Sequence, residues 1–170
     1  LDALDRSGLA RDAFVVFCAD HGEMLGERGM WYKQTFFEPS VRVPLVVRDP
    51  RLPPARRGST RSQLALNLDV APTLVAAAGL PVPAVMQGQD LGPLYLAATP
   101  PAWRDEFFYE HPTVTSRNRI PTSQGVVRRD WKYIEWPEFD YQQLFDLRED
   151  PGEIRNLAGE PAHAGRRMEM

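Results

Sequence analysis

The feature that most constrains the fold is an apolar run that stops abruptly, "FVVFCADHG" at residues 14–22. Residues 13–18 are continuously apolar, β-branched or aromatic, a pattern typical of a parallel strand buried on both faces. Residues 43–47 form a second run of this kind. Ligands gather beyond the carboxyl ends of parallel strands, where Asp20 and His21 would lie before Gly22 permits a tight turn. Taken alone, however, the Asp-His pair also fits a turn or a structural role.

Helix signals flank these two runs. Residues 1–7 fit the tail of a helix closed by Gly8. Asp69 fits the N-cap of a helix in "VAPTLVAAAG", with Pro72 in its first turn and Gly79 as its stop. Helix, strand, loop, strand and helix in this order predict the flank of an α/β sheet.

The composition changes after Pro100 and Pro101. Short aromatic and β-branched runs follow, separated by polar turns: "EFFYEH", "SQGVVRRD", "WKYIEW" and "YQQLFDL". Arg129 and Asp130 separate two of them, which predicts a hairpin in a small antiparallel sheet. "DLREDPGEIRNLAG" predicts a turn and a short terminal helix. We therefore assign residues 1–99 to an α/β core domain and residues 100–170 to a C-terminal subdomain.

Composition and charge exclude several classes of protein. A net charge of −3 gives no attraction toward nucleic acid or a membrane surface, and no apolar stretch approaches the length of a bilayer span. Cys18 is the one cysteine, so an intrachain disulfide is impossible, and we interpret it as a small buried hydrophobe. The chain opens on Leu1, so we expect it to be part of a longer protein whose localisation signal, cytoplasmic or exported, lies elsewhere.

A longer pattern resembles a known family. "ADHGEMLGERGMWYKQTFFEPSVRVPLVVRDP", "LNLDVAPTLVAAAGLPVPAVMQGQDLGPL", "WKYIEW" and "YQQLFDLREDPGEIRNLA" together resemble the type I, formylglycine-dependent sulfatases of the alkaline phosphatase superfamily. The resemblance implies the C-terminal part of an alkaline-phosphatase-like α/β sandwich plus a small antiparallel-sheet subdomain. It also implies hydrolysis of a sulfate ester with one divalent metal, Ca²⁺.

The same resemblance implies roles for individual residues. Asp20 matches a calcium ligand, His21 matches a position at the metal and the sulfate, and Lys33 matches a lysine that binds the sulfate oxygens. A carboxylate is the hard ligand that Ca²⁺ prefers, whereas imidazole is a less usual one, so His21 could instead donate a hydrogen bond to sulfate. The alternative for Lys33 is a solvated surface lysine.

The sequence departs from the family in one respect. The family's nucleophile motif, Cys/Ser-x-Pro/Ala-x-Arg, is absent, and the implied first metal pair belongs to the part that precedes these motifs. We therefore expect the chain to supply some metal and sulfate ligands but no turnover by itself.

Other polar residues have weaker claims to a role. We interpret Glu23, Glu27 and Arg28 as a solvated glycine-rich loop with internal ion pairs. His111, Arg117 and Arg119 are candidate contacts to the leaving group of the substrate, although a polar loop explains them equally well.

Three functions stay open from the sequence. The first is a sulfatase acting on a small-molecule or carbohydrate sulfate ester, with sulfated sugars, choline sulfate and aryl sulfates as candidates. The second is a phosphonate monoester or phosphodiester hydrolase of the same superfamily. The third is a non-catalytic interaction module that presents the aromatic residues of the small sheet. The oligomeric state is not indicated.

Overall fold

The computed structural model describes residues 1–112 and 120–170, which form two compact units. The first unit combines Leu1–Asp20 with Pro44–Trp103, and the second combines His21–Val43 with Arg104–Met170. The chain thus passes from one unit to the other between Asp20 and His21. The assignment of residues 1–99 and 100–170 to two domains stays a prediction, and the compact units differ from it by placing residues 21–43 with the C-terminal part.

The secondary structure comprises five short α-helices, six 3-10 helices and six strands within the described residues. The α-helices are α1 (Asp2–Arg6), α2 (Glu38–Val41), α3 (Val70–Ala77), α4 (Gly92–Leu96) and α5 (Ala164–Glu169). The strands are β1 (Val15–Cys18), β2 (Leu45–Arg48), β3 (Glu106–His111), β4 (Ser123–Arg128), β5 (Trp131–Trp136) and β6 (Tyr141–Asp146). No helix in the described ranges is long and apolar enough to cross a membrane.

The two strands of the first unit correct one prediction. β1 and β2 pair antiparallel, with Val15 opposite Arg48 and Cys18 opposite Leu45. Phe17 is 64% exposed and Cys18 is also exposed, so the prediction of a parallel strand buried on both faces, with Cys18 as a buried hydrophobe, was wrong for this chain. The physical reason is that an apolar run favours a strand but carries no information on strand direction or on which elements cover its faces.

The helix ends predicted at Gly8 and Gly79 in the first unit are confirmed, whereas the predicted capping role of Asp69 is wrong. α1 ends before Gly8 (φ 76°), and α3 ends before Gly79 (φ 74°), both in the left-handed conformation that glycine adopts readily. Asp69 stands at the N-cap position of α3, but its buried carboxylate does not cap that helix. It accepts instead from the backbone N–H groups of Leu66 and Gln89, both at 2.8 Å. Asp69 therefore joins two loops.

The second unit contains the predicted antiparallel sheet, with strand order β3-β4-β5-β6. Arg129 and Asp130 connect β4 to β5, which confirms the predicted hairpin. Residues 24–37 pack on this sheet through a core of Met24, Phe36, Phe37, Val127, Ile134 and Phe145. A Cβ atom at position 125 would lie 2.7 Å from the Phe36 ring, so Gly125 allows that ring to approach the sheet.

The terminal helix lies later than predicted. Residues 147–160 form turns, and α5 begins only at Ala164. Asn156 holds these turns, because its Oδ1 accepts from the N–H groups of Leu144 and Ala158, both at 3.0 Å. Such side-chain bonds to the backbone compete with helix formation, so the helix predicted within "DLREDPGEIRNLAG" does not form there.

Candidate functional site

The loop that follows Asp20 brings two predicted site residues together. Lys33 Nζ contacts His21 Nε2, although the two residues are 12 positions apart. His21 Nδ1 lies 2.8 Å from the carbonyl oxygen of Gly22. A carbonyl oxygen only accepts, so Nδ1 carries the proton and Nε2 offers its lone pair to the lysine ammonium.

The base of this loop is closed by backbone hydrogen bonds to α2. The N–H of Gly22 donates to the carbonyl of Ser40 at 2.7 Å, and that of Glu23 donates to Pro39 at 2.9 Å. A Cβ atom at position 22 would lie 2.0 Å from the Pro39 oxygen, so only glycine permits this approach. The Ser40 hydroxyl in turn donates to the carbonyl of Lys33. The loop therefore closes on itself with Lys33 beside His21.

Asp20 lies two residues after the end of β1, as an exposed residue of the first unit. The amide of Asn67 donates to the carbonyl oxygens of Asp20 at 2.8 Å and Ala19 at 3.1 Å. This contact fixes the backbone at the strand end. The sequence did not single out Asn67, because an asparagine in "LNLD" carries no signal of a contact 47 residues away.

The side-chain donors of the described residues decide whether they could hold a divalent metal. No group of three or more His, Cys, Asp and Glu residues within 1–112 and 120–170 is arranged to hold a metal ion. Calcium takes about six to eight oxygen ligands, and the Asp20 carboxylate is one ligand of the right kind. The described residues therefore offer one oxygen donor of the kind that a divalent metal takes and no complete ligand set.

His111 ends β3, opposite Ser123 of β4. Its ring is half-buried, and its Nδ1 has no hydrogen-bond partner among the described residues. Tyr109 lies on the same face of the strand and stacks on Phe36, with ring centroids 3.9 Å apart. Burial raises the pKa of the Tyr109 hydroxyl. Candidate contacts Arg117 and Arg119 lie outside the described residues.

Arg28 corrects the interpretation of its loop as merely solvated. Its guanidinium donates to the carbonyl oxygens of Gly152, at 2.8 Å, and Glu153. It also lies 4.1 Å from the centroid of the Phe37 ring, a cation–π distance. Arg28 therefore ties the loop to the C-terminal turn, because its Nη2 donates to two adjacent carbonyls that lie more than 120 residues away in the sequence.

A buried ion cluster was missed by the sequence analysis. Lys132 of β5 is fully buried, and its Nζ lies 2.6 Å from Glu38 Oε1, 2.7 Å from Glu153 Oε1 and 3.0 Å from the carbonyl of Phe36. Glu153 Oε2 accepts from the N–H of Glu38 at 2.7 Å. Burial raises the pKa of the Glu153 carboxyl, while the Lys132 ammonium opposes that rise. The available signal was the position of Lys132 in "WKYIEW", in phase with the buried Ile134.

Comparisons with known proteins show the family of this chain. A family model described as N-sulphoglucosamine sulphohydrolase, C-terminal, matches residues 26–170. The chain belongs to the sulfatase family. It represents the C-terminal portion of these members of the alkaline phosphatase superfamily, and membership implies a divalent metal.

Two curated relatives show how much of a sulfatase the chain spans. It is 31% identical to the N-acetylglucosamine-6-O-sulfatase of Bacteroides thetaiotaomicron over 173 residues, which cover 100% of the chain and 31% of the relative. It is 36% identical to the choline-sulfatase of Rhizobium meliloti over 161 residues, which cover 95% of the chain and 30% of the relative. The sulfatase chain thus spans less than a third of the length of these relatives.

Two solved structures confirm the predicted fold class. A protein in complex with its substrate D-glucosamine-2-N,6-O-disulfate matches with a TM-score of 0.89 and 31% identity, covering 99% of the sulfatase chain and 34% of that protein. The phosphonate monoester hydrolase of Agrobacterium radiobacter matches with a TM-score of 0.83 and 29% identity, covering 99% and 35%. The chain is therefore the C-terminal part of an alkaline-phosphatase-like α/β fold with its small antiparallel sheet.

Proposed function

We propose that the full-length protein hydrolyses a sulfate ester with Ca²⁺, and that this chain supplies Asp20, His21 and Lys33 to the site. The observation that carries the proposal is the contact between the Lys33 ammonium and the His21 ring in a chain of the sulfatase family. Lys33 is exposed, but a closed loop holds its ammonium at the imidazole, and this contact supports a role at the site over that of a freely solvated lysine. The nucleophile lies outside this chain, so the chain alone is inactive.

Each of the three residues has a separate physical task. The Asp20 carboxylate would hold the calcium ion, and the bound ion would supply Lewis-acid stabilisation of charge on the sulfate oxygens. The Lys33 ammonium stabilises the negative charge that develops on the transferring group. His21 orients the lysine by accepting from its ammonium at Nε2. A bond from Nε2 to the metal or to a sulfate oxygen would take the place of this contact with Lys33. His111 is a candidate contact to the leaving alcohol.

We propose a sulfated carbohydrate as the substrate class. The support comes from the solved relative that holds a glucosamine disulfate and from the N-acetylglucosamine-6-O-sulfatase relative. Choline sulfate is the competing small-molecule substrate, because the choline-sulfatase of Rhizobium meliloti has the higher identity to the chain. The proposal includes neither nucleic acid nor a membrane as a partner.

A second candidate activity is hydrolysis of a phosphonate monoester or phosphodiester. It is favoured by the structural match to the phosphonate monoester hydrolase, whose transferring group is also a tetrahedral anion. A lysine and a calcium ion stabilise either group. A non-catalytic interaction module, the third possibility, predicts a full-length protein whose function does not depend on metal.

The test is turnover by the full-length protein against Ca²⁺ concentration. The substrates are glucosamine 6-sulfate, choline sulfate, an aryl sulfate and an aryl phosphonate monoester. Sulfate esters should exceed the phosphonate in kcat/KM, and a chelator should abolish turnover. Preference for the phosphonate would replace the first activity by the second, and metal-independent function would refute both.

Variants then separate the roles of Asp20 and Lys33. Lys33→Ala should lower turnover by about a hundredfold, the usual scale for one transition-state stabiliser, and added Ca²⁺ should not restore it. Asp20→Ala should weaken Ca²⁺ binding, so excess Ca²⁺ should recover part of its loss. Glu27→Gln, an exposed acid in the same loop, is the matched control and should keep parental turnover. Calcium rescue of the lysine variant would refute the assignment of Lys33 to the sulfate.

A further inference from the structure

Ser40 bonds to both ends of the loop that runs from His21 to Lys33. It lies in α2 and is 2% exposed. Its hydroxyl donates to the carbonyl of Lys33, and its own carbonyl accepts from the N–H of Gly22 at 2.7 Å. One buried serine thus bonds to Lys33 and to the neighbour of His21, the two residues whose side chains meet.

The helix that carries Ser40 is itself held by the buried ion cluster. Lys132 Nζ binds the carbonyl of Phe36 and the carboxylate of Glu38, the residues that lead into and begin α2. Glu153 accepts from the N–H of Glu38 at 2.7 Å. This N–H belongs to the first turn of the helix and has no acceptor within the helix itself. All of these residues belong to the second compact unit. Contacts therefore run from β5 through α2 to the backbone of Lys33.

We propose that Ser40 is a positioning residue that fixes Lys33 beside His21, with the Lys132–Glu38–Glu153 cluster holding Ser40 in place. The proposal rests on the proposed role of Lys33 at the sulfate. Without the serine hydroxyl, the Lys33 carbonyl loses its donor and the lysine backbone can move relative to His21. Transition-state stabilisation depends steeply on placement, so displacement of the ammonium should cost activity without any loss of charge.

The kinetic test is a double-mutant cycle in the full-length protein. Ser40→Ala should lower kcat/KM by about tenfold, since small misplacements near a reacting group have effects of this order or larger. In a Lys33→Ala background the same change should cost less than about twofold, because residues that act through one another are not additive. Thr35→Val is the matched control, since its hydroxyl lies in the same loop but donates to Met24 at 3.3 Å. It should reduce kcat/KM by a similar factor in both backgrounds.

A spectroscopic test decides the placement without reference to activity. The full-length protein is labelled with ¹⁵N-histidine, and the His21 signals are assigned by their disappearance in His21→Gln. Nε2 of His21 accepts from Lys33, so a displaced lysine changes the environment of this nitrogen. Ser40→Ala should therefore shift the Nε2 resonance, whereas Thr35→Val should leave the Nε2 resonance unchanged.

The outcomes separate this inference from the proposed function. An unchanged His21 resonance in folded Ser40→Ala, or equal losses of kcat/KM with and without Lys33, would overturn the positioning role. Parental turnover by Lys33→Ala would instead overturn the proposed role of the lysine at the sulfate. The His21 resonance in Ser40→Ala would still decide whether Ser40 positions Lys33. Folded Lys132→Met should show the same shift of the His21 resonance. An unchanged resonance would show that the Lys132–Glu38–Glu153 cluster does not hold Ser40 in place.

Discussion

Replacing Lys132 by methionine tests the energetic weight of the buried cluster. Methionine keeps most of the apolar stem but removes the ammonium, which contacts Glu38, Glu153 and the carbonyl of Phe36. Glu153 is fully buried and would lose its close counter-charge, and the Phe36 carbonyl would lose a donor. Breaking a buried ion pair in this way costs about 3–5 kcal/mol of unfolding free energy near pH 7. An unpaired buried carbonyl contributes about 1–3 kcal/mol of the same loss.

The penalty should depend on pH in a defined direction. Burial raises the pKa of Glu153 above its ordinary value of 4.5, and loss of the Lys132 ammonium removes an opposing influence. A folded-state pKa above the unfolded value means that protonation favours folding. The stability contribution is thus fully present below about pH 4.5 and is lost as pH rises through the folded-state pKa. Lys132→Met should therefore be less destabilising at pH 4 than at pH 7.

The assay is urea unfolding followed by the fluorescence of Trp131 and Trp136, which lie on the same strand as Lys132. The matched control is Lys33→Met, because Lys33 is the other lysine of the chain and is exposed. This change should alter the unfolding free energy by less than about 1 kcal/mol. Lys132→Met combined with Glu153→Gln should recover part of the loss, since an amide needs no counter-charge. A penalty no larger than that of Lys33→Met, or equal at both pH values, would refute the reasoning.

Three further predictions concern the loop and the chain as a whole. Gly22→Ala should destabilise the protein by about 1–3 kcal/mol, because the new Cβ would meet the Pro39 oxygen at 2.0 Å, and a parental melting temperature would contradict this. Arg28→Met should cost about 1–3 kcal/mol of unfolding free energy through its lost bonds to two carbonyls, with Glu27→Gln as an inert control. The purified 170-residue chain should show no turnover of aryl sulfates. Metal-dependent turnover by this chain would refute the proposal that the nucleophile lies outside it.

Much of the local structure could be predicted from the sequence. Glycines at positions 8 and 79 end their helices because the left-handed conformation there is inexpensive only for glycine. Alternating runs separated by Arg129 and Asp130 formed adjacent strands of one antiparallel sheet. These features depend on periods of two or 3.6 residues and on single backbone conformations, which are properties of neighbouring residues. The family resemblance likewise rests on contiguous motifs.

Tertiary structure decided what the local pattern leaves open. The apolar residues 13–18 indicated a strand, but its antiparallel partner and the exposure of Phe17 and Cys18 depend on where the chain returns. The sequence indicated a role for Lys33, whereas its contact with His21 depends on a loop closed through Ser40. Lys132 meets Glu38 and Glu153 only because β5 packs under residues distant in sequence. A buried charge is stable only where folding brings its partners within a few ångströms, and such long-range proximity has no local sequence signature.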